Sequence, residues 1–216
     1  MLSPLLLLAL PLLQADDRVK IDNEFIRVLK VTDVPHQKTP LHSHQFNRVM
    51  VYLNSGNLDV RYEDGKTTHQ KWRAQDVDWS IGGPKHISEN VGSEPLGIVE
   101  VEIKQPGPKS PPTRNPKLDP VAIDPTHNVM LFENDQVRVF RSWREPGKTE
   151  TLHEHTGKGR VVVLLTDIQA KVENPNGQPS QMNDKAGEVH WTPGTSLHAG
   201  TNVGPKRFDM ILIEVK

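Results

Sequence analysis

Short apolar runs recur along the chain from residue 19 onward, and glycine, proline, asparagine and aspartate separate them. Their lengths suit β-strands, and no helical period lies between them. The pattern predicts ten strands: Phe25–Val31, Arg48–Leu53, Leu58–Tyr62, Val77–Ser80, Gly97–Ile103, Val137–Arg141, Arg160–Leu165, Ile168–Val172, Glu188–Thr192 and Asp209–Val215. Closely spaced strands of this kind indicate an all-β antiparallel sandwich or barrel.

The chain is a tandem duplication. Residues 75–92 align without gaps with residues 187–204, and the offset is 112 residues from His86 to His198. The match extends back to residues 23–28, which align with residues 134–139. In the early part of each unit the offset is one residue shorter, because a single residue is inserted after His155. A repeat of this length predicts two domains of the same fold.

Residues 105–127 separate the two units and contain seven prolines, at positions 106, 108, 111, 112, 116, 120 and 125. Proline cannot donate a hydrogen bond to a β-ladder, so this stretch predicts a stiff, extended connector. The predicted domains are therefore residues 19–104 and residues 128–216.

Residues 1–15 form an apolar run that precedes the charged residues 16–18. The run is shorter than the roughly 20 residues that a membrane-spanning helix needs. We expect a signal peptide that is cleaved near Ala15, which predicts a periplasmic or secreted protein without a stable membrane span. An uncleaved anchor or a misassigned start stays open as the alternative.

Composition limits the chemistry. Cysteine is absent from the 216 residues, so disulfides, thiolate ligands and a cysteine nucleophile are excluded, and any metal must be held by nitrogen and oxygen. The net charge is −1 with both signs interspersed, which gives no basic face for a nucleic-acid partner.

Two histidine pairs stand at equivalent places, in residues 40–44 (PLHSH) and residues 151–155 (TLHEH). Alternate strand residues point to one face, so each His-x-His pair directs two imidazoles to the same place. A third histidine follows on a later strand of each unit. The candidate metal ligands are His42, His44 and His86 in the first unit and His153, His155 and His198 in the second. Imidazole suits several divalent transition metals, so Fe, Mn, Ni, Cu and Zn stay open.

The order of these motifs resembles the cupin superfamily, and two copies resemble a bicupin. His-x-His is followed by a strand, a hairpin, a glycine-containing turn and then P-x4-H-x3-N, with Gly147, Gly187, Pro193, His198 and Asn202 at the expected places. The resemblance implies two tandem double-stranded β-helix (jelly-roll) barrels, each with a metal inside its mouth. It covers nearly all of residues 19–216.

The chain also departs from the cupin pattern. Arg48 and Arg160 stand where cupins commonly have a glutamate that acts as a fourth ligand. In the first unit, His36 and Gln75 stand in place of glycine and Ile81 in place of proline. The second unit is closer to the pattern, so we rank its site higher.

Three arrangements of the two arginines stay open. In the first, Arg48 or Arg160 binds an anionic substrate that also ligates the metal. In the second, each arginine turns to a carboxylate on the last strand of its unit, such as Glu102 or Glu214. In the third, no metal binds, and the histidines and the arginine form a pocket for an organic anion.

The leading hypothesis is an exported metal-dependent enzyme of the dioxygenase, decarboxylase or isomerase class that acts on a small organic acid. Arg48 and Arg160 are the candidate substrate-binding residues, and His190 is the candidate for proton transfer. Asn90 and Asn202 are expected to hydrogen-bond in turns rather than to ligate. The alternative is a non-catalytic barrel that binds a small, anionic molecule. We expect a monomer or a homodimer.

Overall fold

The computed structural model describes residues 16–175 and 177–216. The predicted signal peptide, residues 1–15, lies outside the described residues. Within the described part of the chain, no helix is long and apolar enough to cross a membrane.

The first unit folds into strands that pair only in antiparallel fashion. They are β1 Val19–Asp22, β2 Ile26–Asp33, β3 Asn47–Tyr52, β4 Gly56–Tyr62, β5 Thr67–Trp72, β6 Val77–Ser80, β7 His86–Asn90 and β8 Leu96–Ile103. A five-stranded sheet has the order β1-β2-β8-β3-β6, and a three-stranded sheet has the order β5-β4-β7. We call this pair of sheets barrel one.

The second unit repeats the arrangement after a short helix, α1 Pro120–Ile123. Its strands are β9 Asn128–Glu133, β10 Val137–Arg144, β11 His153–His155, β12 Gly159–Leu164, β13 Ile168–Glu173, β14 Ser180–Asp184, β15 Val189–Pro193, β16 Ser196–Asn202 and β17 Phe208–Val215. The sheet orders are β15-β12-β17-β10-β9 and β11-β16-β13-β14, which form barrel two. The predicted all-β fold is confirmed.

All ten predicted strands are present, with ends that move by up to three residues. Seven strands lie outside the ranges predicted from apolar runs: β1, β7, β9, β11 and β16, and also β5 and β14, the last two of which lie at outer edges of the two smaller sheets. Both strands are mostly polar and partly exposed, so they carry no apolar run that would reveal them.

The connector is not extended throughout, which corrects the sequence prediction. Asp119 accepts a hydrogen bond from the amide of Val121 at 2.9 Å and caps α1, whose first residue is Pro120. An aspartate cap followed by proline is a helix-start signal that the count of prolines obscured. The Asp119 carboxylate also lies 2.7 Å from Arg138, which fastens the end of the connector to barrel two.

The two five-stranded sheets pack back to back. Successive strand residues point to opposite faces, so one face of each sheet lines its own barrel and the other face meets the partner barrel. One buried apolar cluster contains Val49 and Val51 from barrel one together with Val161 and Val163 from barrel two. The barrels therefore share a hydrophobic core.

Among residues 16–175 and 177–216, two non-glycine residues have left-handed backbone angles: φ is 62° at His36 and 72° at Gln75. Their counterparts in the second unit are glycines, Gly147 with φ 72° and Gly187 with φ 80°. The first unit therefore keeps the turn geometry of the repeat but carries side chains where that geometry favours glycine.

Asn90 and Asn202 hold equivalent turns, as predicted. Both side chains are buried, and each amide donates to two backbone carbonyl groups at 2.7–2.9 Å. Each side-chain oxygen accepts from the amide of the glycine two residues later, Gly92 or Gly204, at 2.9 Å. The turn after each third histidine thus depends on one asparagine.

We expect Asn202→Ala to lower the free energy of unfolding by about 2–4 kcal/mol, because it leaves two carbonyl groups and one amide without partners in a buried turn. Urea unfolding followed by circular dichroism measures the change. Asn183→Ala, at an exposed position in β14, is the matched control and should change the value by less than about 0.5 kcal/mol. Equal effects of the two substitutions would contradict the assigned role.

We expect His36→Gly to raise the free energy of unfolding by roughly 0.5–1 kcal/mol. Glycine relieves a backbone strain of about 1–2 kcal/mol in the left-handed conformation of the folded state. It also gives the unfolded chain more conformational entropy, which offsets part of this stabilisation. His69→Gly, in an exposed position of β5, should lower the value instead. The same unfolding measurement tests both, and a destabilised His36→Gly variant would count against strain at this turn.

Candidate metal centres

The pairing of the strands brings the candidate histidines together. In barrel two, β11 pairs with β16 so that His153 lies directly opposite His198. In barrel one, His42 and His86 form the equivalent bridge, with reciprocal backbone hydrogen bonds of 3.0 and 2.8 Å. The second histidine of each pair, His44 or His155, then points to the same face.

The two sets have nearly the same geometry. We call His42, His44 and His86 triad one, and His153, His155 and His198 triad two. The ring centroids of the first and second histidine are 4.9 Å apart in both triads. The first and third are 4.6 Å apart in triad one and 4.5 Å apart in triad two. The second and third are 5.4 Å and 5.2 Å apart. In each triad one nitrogen from every ring lies within 4.8 Å of the others. The structure therefore brings all six predicted ligands into two groups.

Backbone carbonyl groups fix the protonation of three of the rings. The Nδ1 atoms of His42, His86 and His153 each donate to the carbonyl oxygen two residues earlier, at 2.8, 3.0 and 2.9 Å. A carbonyl oxygen only accepts, so the proton of the neutral ring lies on Nδ1 and Nε2 has a free lone pair. Metal-ligating histidines are commonly oriented in this way.

Triad two provides the clearest test of fit. His155 Nδ1 lies 2.7 Å from a carboxylate oxygen of Glu214, and His155 Nε2 lies 3.1 Å from Nε2 of His153. With both Nδ1 atoms facing acceptors, two lone pairs face each other. Two nitrogens bound at about 2.1 Å to one ion lie about 3.0–3.4 Å apart, so the observed separation fits a shared metal.

Burial holds three of the imidazoles neutral. Burial lowers the pKa of His198 to about 3, with a smaller effect from the Arg160 guanidinium. Burial, and then Arg48, lowers the pKa of His44 to about 3, and burial lowers the pKa of His155 well below its usual value. Neutral imidazole is the form that binds metal, so these three rings do not have to release a proton first at neutral pH.

Arg48 lies against triad one and is held on three sides. Its Nη1 lies 2.6 Å from the ring nitrogens of His44 and 2.9 Å from Oε2 of Glu100, and its Nη2 lies 3.3 Å from the Ser80 hydroxyl. Glu100 is the carboxylate partner of this arginine, and both side chains are largely buried. The guanidinium thus keeps a fixed position beside His44.

Arg48 pairs with a carboxylate on the last strand of its unit, as the second arrangement expects, but with Glu100 instead of Glu102. The two carboxylates named as examples have other partners. Glu102 lies 2.8 Å from Arg27, and Glu214 lies 3.2 Å from Arg138. Arg27 and Arg138 are equivalent positions of the repeat on the first long strand of each unit. They reach the last strand of their own sheet because β2 pairs with β8 and β10 pairs with β17.

Arg160 has a different environment from Arg48. It is buried, its Nη1 contacts the Ser196 hydroxyl, and within the described chain no carboxylate oxygen lies within 4.0 Å of it. Burial lowers its pKa to about 10, and the fields of Glu214 and Glu150 oppose this shift. A buried cation without a direct partner is costly, so these two carboxylates are important for keeping it charged.

His190 does not lie in triad two. Its Nε2 lies 3.3 Å from Oδ2 of Asp184, and it forms a separate group with Asp184 and Glu188. The geometry gives no contact between His190 and the three histidines, so its predicted role in proton transfer stays a prediction without structural support.

Sequence reasoning did not single out two carboxylates, Glu100 and Glu150. Alternation along β8 could have revealed Glu100, because it lies two residues before Glu102 and so on the same inner face. Glu150 is buried, and its Oε2 lies 3.9 Å from Nε2 of His153. It has no counterpart in the first unit, where Thr39 stands, so comparison of the repeats gave no signal for it.

The two triads differ in access. A cavity of about 900 Å³ lies inside barrel one, and its wall includes all of triad one together with Arg48 and Glu100. Triad two is buried, with exposures of 5% for His153, 2% for His155 and 8% for His198. A ligand from solvent therefore reaches triad one more readily.

The comparisons with known proteins agree with this architecture. No protein-family model and no curated protein matches the sequence. Among solved structures, AerE from Microcystis aeruginosa has a TM-score of 0.63 at 18% identity, over 88% of each chain. The cupin 2 conserved barrel domain protein from Leptotrichia buccalis has a TM-score of 0.55 at 14% identity, over 91% of this chain and 86% of that chain.

A variant of oxalate decarboxylase from Bacillus subtilis has a TM-score of 0.63 at 13% identity, over 88% of this chain and 69% of that chain. This chain has the two-barrel cupin fold. Likeness at such low identity shows the fold of this chain and leaves its reaction to be argued from its own residues.

In metal-free bicupin, we expect the free energy of unfolding to fall as the pH drops from about 6.5 toward 3. The pKa of His198 is about 3 in the folded protein and near 6.5 when unfolded, so in this window only the unfolded chain binds the proton. This histidine contributes a slope of up to about 1.4 kcal/mol per pH unit. Urea titrations of chelator-treated protein measure the slope.

His198→Gln should make that slope shallower, whereas His69→Gln, at an exposed position of β5, should leave it unchanged. An identical slope in wild-type protein and His198→Gln would show that the buried ring is not the source of the effect.

Proposed function

We propose that this bicupin is a metal-dependent protein whose working site is triad one, where a small organic acid binds beside a divalent transition metal. The observation that carries the proposal is the repeated geometry of the histidines: in each barrel three rings bring one nitrogen each within 4.8 Å of the others, and the Nδ1 atoms of His42, His86 and His153 donate to backbone carbonyl groups. Two such triads arise from one duplicated motif, which argues against chance clustering.

His42, His44 and His86 would hold the metal in barrel one, and His153, His155 and His198 would hold a second metal in barrel two. A bound ion with three protein ligands supplies Lewis acidity and open positions for a substrate. Fe, Mn, Ni, Cu and Zn all accept imidazole nitrogen. Oxalate decarboxylase from Bacillus subtilis has Mn(II) centres, which supports manganese as the first metal to test.

The charges around triad one favour an anionic ligand. Arg48 pairs with Glu100 and Arg27 pairs with Glu102, so the four side chains sum to zero. The same wall also contains Asp33, Asp64 and Asp78 with Arg18 and Lys66, which brings its formal charge to −1, so a divalent ion at triad one would leave one positive charge unbalanced. A bound carboxylate would balance it, because opposite charges a few ångströms apart attract strongly in a partly buried site.

Access decides between the two barrels. Motif similarity favoured barrel two, but triad two is almost fully buried, whereas triad one faces the 900 Å³ cavity. Binding sites are usually concave and largely preformed, and barrel one supplies such a site. We therefore place substrate binding in barrel one, with Arg48 as the fixed cation beside His44.

The proposed reaction classes are dioxygenation, decarboxylation and isomerisation of an organic acid, for which an open metal position and a carboxylate-binding cavity are sufficient starting elements. The proposal includes export by the N-terminal signal peptide to the periplasm or beyond. A cavity that binds an organic acid without turning it over is the second candidate, and the same open cavity supports it.

We expect about two metal ions per chain in untagged protein reconstituted with Mn(II), and about one in either His44→Ala or His155→Ala. Each substitution removes one of three ligands from one triad only, since the two triads lie in separate barrels. Plasma mass spectrometry of desalted protein gives the metal content. His69→Ala, which removes an exposed histidine, should keep two.

Wild-type protein that stays metal-free after treatment with Fe, Mn, Ni, Cu and Zn in turn would overturn the metal-dependent function. It would leave the second candidate, a barrel that binds an organic anion through Arg48 and neutral histidines.

A further inference from the structure

The two barrels have the same strand pairing but different interiors, and three of the equivalent positions that differ bear on access to the triads. In barrel two, Phe140 of β10 lies opposite Leu212 of β17. In barrel one, the equivalent cross-strand pair is Leu29 of β2 and Glu100 of β8. A large aromatic and an aliphatic residue in one barrel thus correspond to a smaller aliphatic residue and a carboxylate in the other.

Phe140 covers triad two. It is fully buried, and its ring stacks on His155 at a centroid distance of 6.1 Å and an interplanar angle of 10°. The same apolar cluster includes Leu164, Phe208 and Leu212, so the interior of barrel two is packed with side chains. Leu29 takes the place of this phenyl group in barrel one, and it lines the open cavity.

The third difference concerns charge. Glu150 and Thr39 are equivalent, because each backbone amide donates to the carbonyl of the equivalent residue, Gly200 or Ser88. Glu150 supplies a buried carboxylate 3.9 Å from His153 in barrel two, whereas Thr39 lines the cavity of barrel one with a neutral hydroxyl. Triad two therefore has a carboxylate beside its first histidine, whereas the nearby carboxylate of barrel one, Glu100, is paired with Arg48.

The rest of the cavity wall shows what kind of molecule fits. Away from the histidines it has an apolar wall, formed by Met50, Leu58, Val60 and Ile98 with Tyr52, whose ring stacks on Trp72 at 4.0 Å, and it has polar residues that include Asp33, Thr68, Gln70 and Asp78. A volume of about 900 Å³ lies near the upper end of the 300–1,000 Å³ typical of small-molecule sites. A two-carbon acid would leave most of this apolar wall in contact with water.

We propose that barrel one binds an amphipathic carboxylate, with its carboxylate at triad one and an apolar body of several carbons against Leu29, Met50 and Leu58. The same three differences close triad two to such ligands, so that its metal is a structural one. This inference rests on the proposed function, because the carboxylate binds at the metal of triad one.

Calorimetry of Mn(II)-loaded protein with acetate, butyrate, hexanoate and octanoate tests the inference. We expect one ligand per chain and an affinity that rises about threefold to fourfold for each methylene group that contacts the wall. Chelator-treated protein should bind octanoate much more weakly, which separates cavity binding from surface association.

Leu29→Phe introduces the equivalent residue of barrel two into barrel one. It should remove the dependence of affinity on the length of the acid, while the protein still binds two metals. Thr39→Glu should weaken binding of all four acids by a similar factor, because the new carboxylate competes for the same charge. Phe140→Leu is the matched control in the other barrel and should leave the affinities of barrel one for the four acids unchanged.

The outcomes separate this inference from the proposed function. Metal-free wild-type protein overturns both. If the wild-type protein binds two metals but has equal affinities for acetate and octanoate, the inference alone is overturned. The same holds if it binds two metals and has two equivalent sites for the acid. The comparison of the four acids in the wild-type protein needs no variant. The test therefore holds even if Leu29→Phe does not fold.

Discussion

Strand alternation is the constraint on which the rest of the molecule depends. One face of each five-stranded sheet supplies valine and isoleucine to the core between the barrels, and the other face supplies the barrel lining. Along β3, Arg48 and Val49 are neighbours in sequence, yet one contacts a candidate metal ligand and the other lies in the inter-barrel core. A slip of one residue in register would exchange the two faces, so the same hydrophobic packing that joins the barrels also fixes the triads.

The duplicated framework holds two sites with different properties. Both triads place three imidazoles at matching distances, and both have an arginine at the place where cupins commonly have glutamate. Their neighbours differ: Glu100 pairs with Arg48, whereas Arg160 has its opposite charges at longer range. Metal affinity depends on groups beyond the ligands themselves, so identical ligand sets can serve different purposes.

Much of the architecture could be predicted from the sequence because the repeat carries it. Ten strands followed from apolar runs, and the six histidines followed from two aligned motifs. The glycines expected at residues 36 and 75 were absent, yet the backbone there adopts the geometry that glycine would favour. The repeat thus predicted local geometry even where the residue type had changed.

The remainder could not be predicted because it depends on distances across the barrels. The sequence alone could not show which of Glu100 and Glu102 would face Arg48, since both lie on the same inner face of β8. Burial of triad two depends on Phe140, which looks like an ordinary core residue in the sequence. The sequence did not predict the polar edge strands β5 and β14 or the capped helical turn α1, because these segments have no hydrophobic pattern.

The shared core between the barrels has a consequence for how the two halves can diverge. Each half buries the face that a single barrel would offer to a second copy of itself, so the chain is the covalent equivalent of a symmetric pair. In a pair of identical chains, every substitution is made twice and alters both sites together. In the fused chain, the exchange of Phe140 for Leu29 or of Glu150 for Thr39 affects one half only. Fusion therefore releases the interior of each barrel from symmetry while the surface that joins the barrels remains matched.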